Sequence, residues 1–308
     1  MKFLVYGIGG VGGYFGGKLS QAGFHVSMIA RGAHLKEIQK NGLQVESKNG
    51  DFTTHPKIAT DNPEEAETPD VILMGVKSWQ LKEAANSLLP VINADTMILP
   101  LQNGANNVEV LREVFPERQV LGGLCNIISF VKAPGIIKHA SLEPKIIFGE
   151  TEGSNSSRAL ELKKCFDKAE ITNIISGDIQ REIWRKFLFI TTISAIGGLI
   201  RVTIDKIRES EYLYELMRKI ALEILEVANA KGINLGQEDL ENTFERIQNQ
   251  PKGSTASTQR DIMEGKPSEL ENFNGYIVKE GERLGISTPV NRFIYECLLP
   301  MEKQARKG

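Results

Sequence analysis

The feature that most narrows what this chain can fold into is Gly7-Ile8-Gly9-Gly10-Val11-Gly12, which directly follows the apolar run Lys2–Tyr6 and opens a helical pattern over Gly13–Ala22. A glycine at the first position permits a tight turn, the second lets a diphosphate approach the backbone, and the third lets helix and strand pack closely. The helix start then presents unpaired N–H groups and the positive end of its dipole to an anion. A glycine-rich turn without a ligand is the alternative. Against it, the second apolar run, Val26–Ala30, completes strand, loop, helix and strand in the order a dinucleotide site requires.

The same alternation continues. Val71–Val76, Met97–Leu101 and Val120–Leu124 read as further short strands, with helical patterns at Trp79–Leu89 and Asn106–Val114 between them. A more β-like stretch, Gly135–Gly149, precedes a helix near Arg158–Ala169 and a last strand at Ile171–Ile175. After Gly177 the period changes. Asp178–Ile200 reads as one helix, and a second runs from Leu213 with Leu216, Met217, Ile220, Ala221, Ile224, Leu225 and Ala228 on one face, ending at Lys231 and Gly232. A further helix is expected to start at Ser268, which has the spacing of a capping box with Glu271 just after Pro267. The expectation is an α/β protein: an N-terminal Rossmann-type doubly wound parallel sheet over 1–176 and a C-terminal all-helical domain over 177–308.

The end of the second strand selects the cofactor. Met28-Ile29-Ala30-Arg31 carries no acid for a ribose 2'-hydroxyl, whereas the planar guanidinium of Arg31 suits a 2'-phosphate. NADPH is therefore expected over NADH, unless Arg31 is only a solvated surface residue. Lys77, after Val71–Val76, and Asn103, in Leu101-Gln102-Asn103-Gly104, fall at carboxyl ends of strands, where such sheets bind ligands. A solvated lysine and an ordinary Asn-Gly turn explain them equally well.

A formal net charge of -2 disfavours nucleic acid or an anionic membrane as an obligate partner. The separated Cys125, Cys165 and Cys297 suit free thiols in a reducing compartment, and His25, His34, His55 and His139 lack metal-ligand spacing. The longest uncharged run, Phe187–Ile200, falls short of the roughly 20 residues a bilayer needs. A cytoplasmic protein with no metal is expected.

Together, Gly7–Gly12, Arg31, Val76-Lys77-Ser78-Trp79-Gln80, Gln102-Asn103-Gly104, Glu182-Ile183-Trp184-Arg185-Lys186 and Ser268-Glu269-Leu270-Glu271-Asn272-Phe273-Asn274-Gly275 resemble the ketopantoate reductase family over nearly the whole chain. The resemblance implies NADPH-dependent reduction of a 2-oxo acid to the 2-hydroxy acid, with 2-dehydropantoate as the leading substrate on the route to pantothenate. It implies Lys186 as the catalytic lysine and Glu269 as its paired glutamate. It places Lys77, Asn103 and Glu269 at the cofactor, and Asn103, Lys186, Ser194 and Ser257 at the substrate. A homodimer is the assembly it suggests.

The chemistry suits those residue types. Hydride addition to a ketone builds negative charge on its oxygen, which a positioned ammonium can stabilise and then protonate. Partial burial where Lys186 meets the uncharged stretch would lower its pKa, and Glu269 could hold the lysine and substrate hydroxyls. From the residues alone, a lysine–glutamate ion pair without catalytic duty is the more common case. One departure concerns the substrate. The family's asparagines four and eight residues after the lysine are here Ile190 and Ser194. An isoleucine donates no hydrogen bond, so the same chemistry on a more apolar 2-oxo acid or ketone is the alternative. A non-catalytic NADPH-binding regulator is another.

Overall fold

The apolar run after Lys2 becomes the middle strand of a parallel sheet, buried on both faces as such strands must be. The computed structural model describes residues 1–153 and 156–307. Met1–Asn103 and Asn107–Ile179 form one compact unit; Gly104–Asn106 belong with the chain from Gln180 onward in the other.

In the first unit, β1 (Lys2–Tyr6), α1 (Gly10–Gln21), β2 (His25–Ile29) and α2 (Gly32–Asn41) lead to β3 (Leu43–Ser47), β4 (Phe52–Thr54) and β5 (Ile58–Thr60). Then come β6 (Val71–Met74), α3 (Leu81–Ser87), β7 (Met97–Pro100) and α4 (Asn107–Arg112). β8 (Gly122–Ala133), β9 (Ile136–Gly149), α5 (Ser157–Lys168) and β10 (Thr172–Ile175) complete it. The parallel sheet has the order β5-β2-β1-β6-β7, so the chain winds outward from β1 in both directions. That order makes the carboxyl end of β1 a topological switch point, where ligands bind in open α/β sheets. Phe3, Val5, Phe15, Met28 and Leu73 lie in its core.

A second sheet, β10-β9-β3-β4 with β8 paired to β9, lies outside that expectation. Val120–Leu124 was expected to extend the parallel sheet, but only Val120 bridges to it, at Ile98. From Gly122 the chain instead runs antiparallel to β9. Glycine is needed there, because a Cβ on Gly123 would lie 2.6 Å from the Pro100 carbonyl oxygen.

The second unit takes in nearly all of α6 (Ile179–Ile200), then α7 (Ile204–Arg208), α8 (Glu211–Ala230), α9 (Gln237–Gln248), α10 (Ser257–Met263), α11 (Tyr276–Leu284) and α12 (Pro289–Ala305), so every regular element described in it is helical. Helix α8 starts two residues before the expected Leu213, its first turn capped by Ser210, and ends at Lys231 with Gly232 in the left-handed region. At 22 residues α6 is long and apolar enough to cross a bilayer, longer than its uncharged run suggested, but 67% of its most apolar window is buried within the protein. That burial is the signature of a core helix.

Helix α6 is anchored by Asp239 on α9, whose carboxylate receives Arg185 Nε at 2.6 Å and Arg181 at 3.1 Å. Burial pushes the Asp239 carboxyl up, but the Gly236 N–H and the two guanidiniums outweigh it, leaving the group below the usual carboxylate range.

Candidate active site

The glycine loop has the geometry the spacing predicts. Gly7 sits at φ +94°, and a Cβ there would lie 2.7 Å from Val76 N, so loop and β6 close together only over a glycine. A Cβ on Gly12 would lie 2.1 Å from the Gly7 carbonyl oxygen. At Gly9 the space a Cβ would fill is open, with no heavy atom within 4 Å. Gly9 is also the N-cap of α1 and supplies no side-chain cap, so the amides of Gly10, Val11 and Gly12 have no partner from a capping side chain. An open approach above uncapped amides fits a diphosphate. Gly75, which carries no local sequence signal, completes the turn: a Cβ there would lie 2.7 Å from the Gly7 oxygen and 3.0 Å from Gly12 Cα.

Beside this loop lies a cavity of about 180 Å³, walled by Gly7, Ile8, Arg31, His34, Gln80 and Glu83 among others. Arg31 caps α2 in extended backbone at the end of β2, and its side chain is exposed at the cavity. His34 is a second residue without a sequence signal. Its Nδ1 accepts the Gly135 N–H at 2.9 Å, tying α2 to the β8–β9 turn. Burial holds its imidazole below the ordinary range, partly opposed by a hydrogen bond with the Ile8 backbone, so the ring is neutral at pH 7.

Lys77 and Asn103 stand at the carboxyl ends of β6 and β7, as expected, yet neither lines this cavity. Lys77 Nζ lies 5.5 Å from the Trp79 ring centroid, a cation–π distance. The Asn103 and Gln102 carbonyls each accept from Asn107 Nδ2 at 3.2 Å, which fixes the segment after β7.

The remaining expected residues belong to the helical unit. Lys186 is half-buried on α6, with Ile190 half-buried and Ser194 3% exposed at the next two positions of the same helical face. Glu269 is 4% exposed and lies in the irregular link after α10. The residues flanking the two charges pack together: Phe187 stacks edge-on against Phe273 at 5.9 Å, and Trp184 lies 6.1 Å from Tyr276. Aromatic packing thus brings the Lys186 segment against the turn that follows Glu269. Ser257 opens α10 and is exposed. Gly197, without any sequence signal, lets α10 approach α6, since a Cβ there would lie 2.4 Å from the Gln259 side-chain oxygen.

One expectation fails. Ser268 and Glu271 do not form a capping box. The Ser268 N–H donates to the Glu302 carboxylate instead, at 3.1 Å to each oxygen, while Glu271 accepts from the Tyr295 hydroxyl at 2.9 Å. The buried Glu302 carboxylate and the Tyr295 hydroxyl, both from α12, outcompete the local motif, and Glu271–Gly275 winds as a π-turn. Among the described residues no cluster of His, Cys, Asp and Glu could hold a metal ion.

Comparison with known proteins agrees over the whole length. The family described as Ketopantoate reductase PanE/ApbA matches residues 3–153, and Ketopantoate reductase PanE/ApbA C terminal matches residues 178–302. The chain is 31% identical over 304 residues to the uncharacterized oxidoreductase YkpB of Bacillus subtilis, covering 99% of this chain and 100% of that protein. It is 27% identical to the 2-dehydropantoate 2-reductase of Pyrococcus horikoshii, with 98% of each chain covered. The crystal structure of a PanE/ApbA family ketopantoate reductase from Ralstonia eutropha superposes with a TM-score of 0.91 at 26% identity, covering 99% of this chain and 100% of that one. The chain belongs to the ketopantoate reductase family and is an NADP-dependent oxidoreductase.

Proposed function

We propose that this protein reduces 2-dehydropantoate to pantoate with NADPH, residues 1–176 holding the cofactor and residues 177–308 the reacting acid. The observation that carries the cofactor half is the glycine loop, open at Gly9 and closed at Gly12, with Arg31 at the cavity beside it. Gly7, Ile8, Gly9, Gly10, Val11 and Gly12 would cradle the diphosphate, Arg31 the 2'-phosphate, and Lys77, Asn103 and Glu269 the rest of the dinucleotide. When bound, the cofactor supplies a hydride to the ketone carbon.

The chain's own residues handle the charge that follows. The Lys186 ammonium lies beside the ketone oxygen, stabilises the negative charge that develops there and gives up a proton to it. Glu269 keeps that ammonium oriented, and its buried position strengthens their attraction. Asn103, Ser194 and Ser257 contact the acid, Ser257 through its carboxylate. The relatives named 2-dehydropantoate 2-reductase support this assignment of substrate.

Ile190 favours a second reading. It occupies the same face as Lys186, one turn on, and presents methyl groups where a donor would serve a polar substrate. The same chemistry on a more apolar 2-oxo acid is therefore the alternative. The test is oxidation of NADPH by the purified protein with 2-dehydropantoate and a panel of branched and linear 2-oxo acids. Higher kcat/KM for 2-dehydropantoate than for any other acid supports the first reading. Preference for a branched apolar analogue moves the assignment to the second, and no turnover with any acid makes the chain a cofactor-binding protein.

A further inference from the structure

We propose that Glu302, acting with Arg306, is a positioning residue that sets the direction of the Glu269 carboxylate. The inference rests on the reading that Glu269 works in the reaction. Glu269 lies in the short link between the end of α10 and the π-turn, at a bend rather than inside a regular helix. The hold on the backbone of residue 268 is therefore one determinant of where residue 269 points.

All the polar groups of Ser268 are held from the end of α12. The Glu302 carboxylate accepts the Ser268 N–H at 3.1 Å and its hydroxyl at 2.5 Å. Arg306, the C-cap of α12, donates to the Ser268 carbonyl at 3.1 Å, and its Nε pairs with Glu302 at 2.7 Å. On the other side of the link, the Glu269 carbonyl accepts the N–H groups of Asn272 and Phe273, each at 3.0 Å. The far end of the turn is tied to the same helix: Asn274 donates to Asn291 at 2.9 Å, and Asn291 donates to the buried Glu223 at 2.7 Å.

A carboxylate only 3% exposed at its side chain is costly to bury, and such a group persists where its hydrogen bonds are complete. Two such carboxylates, Glu302 directly and Glu223 through Asn291, hold the two ends of the seven-residue stretch Ser268–Asn274, which contains Glu269. Residues placed this way act by holding a reacting group within a fraction of an ångström of its working position.

The test is a double-mutant cycle in the full-length protein with NADPH and the fastest 2-oxo acid. Glu302→Gln should lower kcat by ~10- to 100-fold, the cost of a misplacement of about 1 Å. In a Glu269→Gln background, Glu302→Gln should lower kcat no further, because an absent carboxylate has no direction to lose. Unchanged kcat in Glu302→Gln, or fully multiplicative losses in the double variant, overturn the proposal while leaving Glu269 in place. Full kcat in Glu269→Gln instead removes the reading beneath it, and the proposal with it. Should Glu302→Gln fail to fold, Arg306→Met, which removes the carbonyl contact from the partly exposed side, enters the same cycle under the same criteria.

Discussion

Alanine at Gly9 and alanine at Gly12 add the same methyl group to the same loop, and the structure predicts opposite consequences. At Gly12 the new carbon would meet the Gly7 carbonyl oxygen at 2.1 Å, about 1 Å inside the closest approach real side chains make, and Val5 Cγ1 at 3.2 Å. The obstructing atom is backbone, so loop and α1 must separate. Overpacking of this kind costs roughly 1–3 kcal/mol, which for a domain of this size lowers Tm by ~3–10 °C. At Gly9 nothing lies within 4 Å and φ is -85°, a value alanine adopts freely. The small loss from replacing a glycine N-cap and the small gain from a stiffer unfolded chain offset each other to within about 1 kcal/mol. The methyl group instead fills the approach to the uncapped amides of α1. Affinity for NADPH should fall by ~10- to 100-fold, roughly 1.4–2.7 kcal/mol, while the fold is untouched. Thermal denaturation without cofactor and NADPH titration by fluorescence measure the two effects separately. A Gly9→Ala protein that binds NADPH as tightly as wild type would refute this account of the loop, as would a Gly12→Ala protein of unchanged Tm.

Other consequences follow from single side chains. Arg31→Ala should weaken NADPH at least ten times more than NADH, because only the former offers a phosphate to a guanidinium; equal losses in titrations of both would make Arg31 a bystander. Asp239→Asn should cost about 1–3 kcal/mol, towards the low end for a buried pair because both partner arginines are a third exposed. The Asp239 pKa is depressed in the folded state, so its contribution is fully present above the ordinary carboxylate value of 3.8 and fades as pH falls through the lower folded value. Denaturant curves of wild type and variant should accordingly converge in strong acid and stay separated at neutral pH; a constant separation down to pH 2 would contradict that sign.

The parts legible in the sequence were those set by neighbours along the chain. Gly7–Gly12 announced itself because turn, phosphate approach and helix packing all fall within six residues. The face carrying Lys186, Ile190 and Ser194 followed from helical spacing, and the helices of the second unit from a clear 3.6-residue period. Long-range partners were not legible. Nothing near Ser268 reveals that Glu302, 34 residues away, takes the N–H a capping box would use. Gly75 and Gly197 carry no local signature, because what requires glycine at each is an atom from a distant segment. In the second sheet β9 and β10 were legible as extended segments, but β3 and β4 were not, for a similar reason. β3 has only two fully apolar inward positions, Leu43 and Val45, and β4 spans three residues, too few to establish a period of two.

The Lys186 ammonium is proposed to stabilise and protonate the ketone oxygen. The decisive measurement is single-turnover reduction of 2-dehydropantoate by Lys186→Ala loaded with NADPH. Its hydride-transfer rate should be lower by about three orders of magnitude, with NADPH affinity within a few-fold of wild type. Turnover at the wild-type rate in that variant would contradict it.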